Sequence, residues 1–178
     1  KWYDYLSQYA GGAQIIQDAI DWAVGIANDD DHGYDQTHRD GPDYDCSSLI
    51  CWAYSNAGLD TRPGYTPATG TMYDVFTAAG FQDVTDQVNL SGSGDLVKGD
   101  VLLVPGSHTE MYIGTGELGG ASINENGETT GGQTGDQTGD EIHVHGYYNY
   151  PWTYVLRYPG GGAIPEPEKV YLVRWIPA

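Results

Sequence analysis

Apolar residues recur at helical spacing near the start of the chain. Positions 16, 19, 20, 23, 26 and 27 are apolar, which predicts a packed helix over Ala13–Ala27. Lys1–Tyr9 is aromatic but weakly patterned, and the pair Gly11-Gly12 after it predicts a break. We therefore interpret Lys1–Tyr9 as an irregular surface arm.

Two shorter helices are expected further on. One covers 46–58, where Asp-Cys-Ser-Ser leads into an apolar run that stops at Asn-Ala-Gly. The other covers Thr71–Ala79, with Thr71 as its N-cap and Gly80 as its end. Short apolar or alternating runs then predict strands at Val101–Val104, His108–Gly114, Gly119–Asn124, Glu141–His145 and Trp152–Tyr158. Helices followed by a meander predict an α+β fold, with the helices packed on an antiparallel sheet of about five to six strands.

The charge and composition of the chain argue against some classes of binding partner and leave others open. The 178 residues carry a formal net charge of −18, from 25 acidic and 7 basic side chains. Such a chain has no basic patch for phosphates, so nucleic acid and anionic membrane surfaces are not expected as partners. The 15 Tyr and 5 Trp residues suit either a ligand groove or a core poor in Leu and Phe.

Cys46 is the strongest candidate for chemistry because it stands at the start of a predicted helix. Unpaired N–H groups and the helix dipole favour an anion there, so we expect the thiol to ionise readily and act as a nucleophile. Cys51 lies five residues on, at a spacing that points it elsewhere, so a mutual disulfide is not expected. No zinc-type spacing of cysteines is present, and we expect no metal and no cofactor.

A cysteine nucleophile needs a histidine and a group that orients it. His108 is the best of five histidines because it opens a strand after a buried strand and a Pro-Gly turn. His143 and His145 share one face of a strand, but without a third ligand we expect them to be surface or packed residues. For the orienting group we expect Asn124, with Glu125 and Asn126 as alternatives after a small register error.

The loop between the first two helices, 28–45, is strongly acidic. Its Asp29-x-Asp31-x-Gly33-x-Asp35 spacing has some features of a calcium loop, but it lacks the closing Glu of an EF-hand. We favour a solvated acidic loop, in which Arg39 pairs with a nearby Asp.

Several short sequence motifs of this chain resemble those of a known family. They include GYDQ, GPDYDCSS, HTEMYIG, INENG, GDQTG and PWTYVLRY, in that order between Gly12 and Tyr158. They are similar to the NlpC/P60 and CHAP cysteine hydrolases of bacterial cell walls, and most similar to the phage amidase group of peptidoglycan hydrolases. The resemblance implies a papain-like catalytic domain over 1–158. Residues 159–178 would then be a linker and a terminal strand, leading to a cell-wall-binding module.

By this resemblance, Cys46 is the nucleophile, His108 the base and Asn124 the orienting residue. Asp45 and Ser47 beside the cysteine would hold the free amine of a stem peptide. The aromatic residues near the end of the sheet either line a groove for sugar faces, with Trp152 in contact with the glycan, or pack the sheet edge; they are Tyr147, Tyr148, Tyr150 and Trp152. The implied partner is peptidoglycan, cleaved outside the cell at the bacterial wall by a monomeric enzyme.

Alternatives remain at this point. The favoured activity is an N-acetylmuramoyl-L-alanine amidase, and the alternative is an endopeptidase that cuts the stem peptide or cross-bridge. A non-catalytic wall-binding module is a different class, in which Cys46 is a relic. An acyltransferase of the same fold would need an apolar channel, which the polar second half does not indicate.

Overall fold

Residues 2–160 are described by a computed structural model. Within them the chain forms helices α1 (Trp2–Ala27), α2 (Cys46–Asn56) and α3 (Thr69–Ala78), followed by a six-stranded sheet. The strands are β1 (Gln82–Asp83), β2 (Val101–Val104), β3 (His108–Gly114), β4 (Glu117–Ala121), β5 (Ile142–Gly146) and β6 (Tyr154–Arg157). No helix in this part of the chain has the length and apolar character needed to cross a membrane.

The sheet is antiparallel throughout, with the strand order β1-β6-β2-β3-β4-β5. The predicted α+β fold is therefore confirmed, and the strand that begins with His108 lies near the centre of the sheet. The register sets His108 opposite Val104 on β2, and Met111 opposite Gly119 on β4. By the same antiparallel count, Glu110 lies opposite Gly120.

Two apolar clusters cover the two faces of this sheet. The larger joins α1, α2 and α3 to side chains such as Val101, Leu103 and Met111. The smaller contains Leu102 and Tyr112, which point to the opposite face because side chains alternate along a strand. His108, Glu110 and Tyr112 are two residues apart along the same strand, so all three side chains point to this second face.

The predicted break at Gly11-Gly12 was wrong, because α1 runs through it without interruption. Gly11 has open space around it. At Gly12, a Cβ would collide with the carbonyl group of Pro159. Because Gly12 has no side chain, the segment after β6 can approach the backbone of α1. A glycine inside a helix lowers the stability of the helix by about 1 kcal/mol relative to alanine.

The acidic loop is more ordered than predicted. Asp43 and Asp35 are buried rather than solvated. Asp43 Oδ1 accepts the N–H groups of Gly33 and Gly135, both at 2.9 Å, and so joins this loop to the one before β5. Within residues 2–160, no cluster of three or more His, Cys, Asp or Glu side chains is arranged to hold a metal ion.

The bounds of α3 and β4 also differ from the prediction. α3 begins at Thr69 with Ala68 as its N-cap, so Thr71 lies inside the first turn. β4 ends at Ala121, three residues before the predicted end of that strand. The predicted linker and terminal strand over 159–178 lie outside the described residues, except for Pro159 and Gly160.

Candidate active site

A reciprocal capping box fixes the start of α2. The Asp45 carboxylate accepts the N–H of Ser48 at 2.7 Å, and Ser48 Oγ accepts the N–H of Asp45 at 2.9 Å. Cys46 is therefore the first residue of the helix, as predicted from the sequence. The cap binds the N–H of Ser48, whereas the N–H of Cys46, at the first position of the helix, has no intrahelical partner and can face an anion.

The Cys46 thiol lies against the beginning of β3. The N–H of Thr109, the residue after His108, donates to its sulfur. The side chain is buried, and burial is the main cause that raises the pKa of Cys46 to about 12. Asp45 raises it further, whereas hydrogen bonds from Thr109 and Ser47 lower it. The prediction that Cys46 ionises readily was wrong. Its thiol is neutral in the substrate-free protein at neutral pH.

His108 is oriented by a carboxylate on its own strand. Its Nε2 lies 2.8 Å from Glu110 Oε1, and an ionised carboxylate only accepts hydrogen bonds. Nε2 therefore carries the proton, and Nδ1 is the nitrogen that can accept one. This tautomer leaves His108 Nδ1 as the proton acceptor that a general base needs.

Glu110 is buried and lies at the centre of a small polar network. Besides His108, Tyr148 Oη donates to Oε1 at 2.8 Å, and His145 Nε2 lies 3.1 Å from Oε2. Burial alone would raise the pKa of Glu110, but hydrogen bonds from His108 and His145 outweigh it and lower the pKa to about 2. The carboxylate is therefore ionised at neutral pH.

Sequence reasoning missed Glu110, although a signal was present. Residues two apart on a strand share a face, and Glu110 is the only acidic residue in the strand HTEMYIG. Opposite it, Gly120 leaves the space that the carboxylate side chain needs. A Cβ on Gly120 would lie 2.8 Å from Glu110 Cγ, which is closer than such atoms approach.

Asn124 has a different position from the one predicted. It lies in the loop after β4 rather than on the strand, and it is buried. Its side-chain oxygen accepts the N–H groups of Asn126 and Glu128, and its amide donates to Thr130 O. The alternatives Glu125 and Asn126 hydrogen-bond each other. These contacts organise the loop, whereas the hydrogen bond to His108 comes from Glu110.

Asp45 and Ser47 are already bound by a cation from the protein itself. Arg39 Nε lies 2.6 Å from Asp45 Oδ2, and Arg39 Nη2 donates to Ser47 Oγ at 2.7 Å. The expected pairing of Arg39 with an Asp is confirmed. Ser47 Oγ also donates to Asp45 at 2.8 Å. A substrate amine would have to compete with Arg39 for Asp45, and the amine-binding role of Asp45 and Ser47 stays a prediction.

Trp152 follows the packing alternative rather than the sugar-binding one. Only 7% of its surface is exposed, so it offers no platform for a sugar. Its ring stacks on His108 instead, with centroids 6.0 Å apart and 24° between the planes. Tyr148, which is 36% exposed, is the most exposed of the four aromatic residues.

Comparison with known families settles the family of this chain. The model of the endolysin-like domain matches residues 40–119 and 118–163, which include Cys46, His108 and Glu110. The chain belongs to the endolysin-like domain family. This match confirms the resemblance to phage-type endolysins that the sequence indicated. A search of curated proteins gave no match.

Three solved structures are similar to this chain. The peptidoglycan hydrolase RipB from Mycobacterium tuberculosis is 18% identical with a TM-score of 0.50, over 83% of this chain and 66% of that one. NlpC1 from Trichomonas vaginalis is 22% identical with a TM-score of 0.48, over 80% of this chain. A P60 domain from M. avium subspecies paratuberculosis is 17% identical with a TM-score of 0.47, over 83% of this chain and 96% of that one. The chain spans 44% of the length of NlpC1.

Proposed function

We propose that this endolysin-like domain hydrolyses an amide of peptidoglycan with Cys46 as nucleophile and His108 as general base. The observation that carries the proposal is the junction of α2 and β3. There the thiol at the helix start accepts the N–H of Thr109, and the adjacent His108 has its Nε2 hydrogen-bonded to Glu110. Cys46, His108 and Glu110 would then serve as the nucleophile, the base and the orienting group of a catalytic triad.

The reaction follows from the protonation states. His108 Nδ1 takes the thiol proton as the sulfur attacks the amide carbon, because the thiol is neutral in the substrate-free protein. The oxygen of the tetrahedral intermediate is stabilised by N–H groups in the first turn of α2, including that of Cys46. The imidazolium then protonates the leaving amine, and the C–N bond breaks to leave a thioester. Water, deprotonated by His108, releases the acid and restores the thiol.

Glu110 takes the orienting role that was expected of Asn124. Its ionised carboxylate holds the Nε2–H tautomer of His108 and stabilises the imidazolium that forms during the reaction. Trp152 limits rotation of the imidazole from one side by stacking on it.

Arg39 favours an amidase over an enzyme that binds a free amine. A substrate ammonium beside Asp45 would have to displace a partly buried guanidinium that also donates to Thr66 O and Pro67 O. The adjacent part of the substrate is therefore uncharged or acylated. A stem peptide still attached to muramic acid meets this requirement, because its first amine is part of the scissile amide.

Mass spectrometry of digested walls tests the proposal. Purified Gram-positive walls are incubated with the wild type and with Cys46→Ala, and the new termini are mapped. We expect free lactyl groups on muramic acid beside intact stem peptides, and no products from the variant. New N-termini inside the stem or cross-bridge would mean an endopeptidase. Equal products from both proteins, or none from either on several wall types, would contradict a cysteine hydrolase.

A further inference from the structure

His145 has an oxygen atom close to each of its ring nitrogens, one in an ion-pair contact and one in a hydrogen bond. Nε2 lies 3.1 Å from Glu110 Oε2, and Nδ1 lies 3.0 Å from the carbonyl oxygen of Gly146. A neutral imidazole carries only one N–H, so it would leave one nitrogen lone pair facing an acceptor. Both contacts are favourable only when His145 is the imidazolium cation.

The groups around His145 support this charge. Glu110 from β3 supplies the negative charge, and its hydrogen bond is the main cause that raises the pKa of His145. The other titratable groups in contact are His143 on the same strand and Tyr148, whose ring centroids lie 4.6 Å and 5.5 Å away. On β4, the residue opposite His145 is the apolar Leu118.

His108 and Glu110 on β3 and His145 on β5 therefore form a network of three interacting side chains. His108 and His145 hold the two oxygens of one buried carboxylate from opposite sides. The positive charge of His145 balances the negative charge of Glu110. The charge of the carboxylate is therefore compensated without a proton transfer to or from His108. Removing that cation would leave Glu110 to be balanced by His108 alone.

We propose that His145, as an imidazolium, is a positioning residue that fixes Glu110 and keeps His108 neutral and ready to act as the base. The inference rests on the proposed hydrolase mechanism. Without His145, the uncompensated carboxylate stabilises the imidazolium form of His108. Less of the free enzyme then has a neutral base at a given pH, so the acidic limb of the pH–rate profile moves upward.

Solvent reaches this network through a cavity of about 480 Å³. The cavity is bordered by Glu110, Gly120, Ser122, His143, His145, Gly146 and Tyr148. Protons can therefore exchange between His145 and the bulk, and the protonation state of His145 follows the pH of the medium. His143 borders the same cavity on the same strand, which makes it a matched control.

The kinetic test compares His145→Gln with His143→Gln on a peptidoglycan substrate over pH 5–9. For His145→Gln we expect a kcat about tenfold lower at neutral pH, KM within about twofold, and an acidic limb about one pH unit higher. His143→Gln should stay within about twofold of the wild type without a shift. Identical profiles for the two folded variants would overturn the proposal.

NMR of the histidine ring nitrogens gives a readout that needs no substrate. In wild type and Cys46→Ala at pH 7, we expect both nitrogens of His145 to be protonated and only Nε2 of His108. A neutral His145 would overturn the inference even if walls are digested. An imidazolium His145 in a protein that digests no wall would contradict the hydrolase instead. This readout also holds if His145→Gln fails to fold.

Discussion

Glu110 on β3 fills the space that a side chain on Gly120 of β4 would occupy. The two residues face each other across the strand pair, and a Cβ on Gly120 would lie 2.8 Å from Glu110 Cγ. The polar group that orients His108 therefore comes from the strand of the histidine itself, and the neighbouring strand contributes only the room for it.

Gly120→Ala should lower activity by displacing Glu110 from His108. Because the methyl group meets the Glu110 side chain, the 2.8 Å hydrogen bond to Nε2 lengthens or breaks. We expect kcat to fall by about 10-fold to 100-fold, as for other losses in general-base geometry. Gly119→Ala is the control, since its Cβ meets only Ile113 at an ordinary 3.4 Å. Equal activities of the two variants would contradict the assigned geometry.

Glu110→Gln and Asn124→Ala separate the two candidates for the orienting residue. The glutamine is uncharged and does not stabilise the His108 imidazolium, so we expect kcat to fall by about 10²-fold or more. Asn124→Ala removes hydrogen bonds within its loop and should lower thermal stability, with kcat within about threefold of wild type. Steady-state kinetics and thermal melts on both variants check this. The reverse order of kcat effects would restore Asn124 to the triad.

Arg39→Ala should destabilise the domain strongly. The variant leaves Asp45, which is 8% exposed in its side chain, without its cation, and loss of one partner from a buried pair costs about 3–5 kcal/mol. Arg62→Ala serves as a comparison because its partner Asp40 is 56% exposed and 3.5 Å away. With its contact to Trp52 included, we expect about 1 kcal/mol there. Urea unfolding at pH 7 measures both free energies, and similar values would argue against a buried Arg39–Asp45 pair.

Alkylation of Cys46 should rise steadily with pH. Since burial and Asp45 raise the pKa of this thiol to about 12, the iodoacetamide rate constant should climb through pH 9 without levelling off near neutrality. Cys46→Ala retains only Cys51, which is fully buried, and should be labelled far more slowly. A plateau below pH 8 would show that a thiolate–imidazolium pair already exists before substrate binds.

The parts of the site that depend on local sequence were predictable. Asp45 and Ser48 specify the start of α2 through the capping box, and so the position of Cys46. The buried strand and the Pro-Gly turn before β3 placed His108 at the strand opening. Neither inference requires knowledge of which strands pair.

The parts that depend on pairing and packing were not predictable from one sequence. Asn124 was assigned because the polar alternation continued past Ala121, whereas β4 ends there and the chain turns into a loop. The role of Glu110 depends on Gly120 lying opposite it, which only the register reveals. The raised pKa of Cys46 follows from burial, and it outweighs the helix-terminus effect that the sequence indicated.

Digestion of purified walls by wild type, Cys46→Ala and Cys51→Ala tests the central claim most directly. Release of soluble fragments should continue in Cys51→Ala, whose sulfur is buried away from the site, and disappear in Cys46→Ala. Circular dichroism confirms that each variant is folded. Fragment release that persists in folded Cys46→Ala would contradict Cys46 as the nucleophile of this endolysin-like domain.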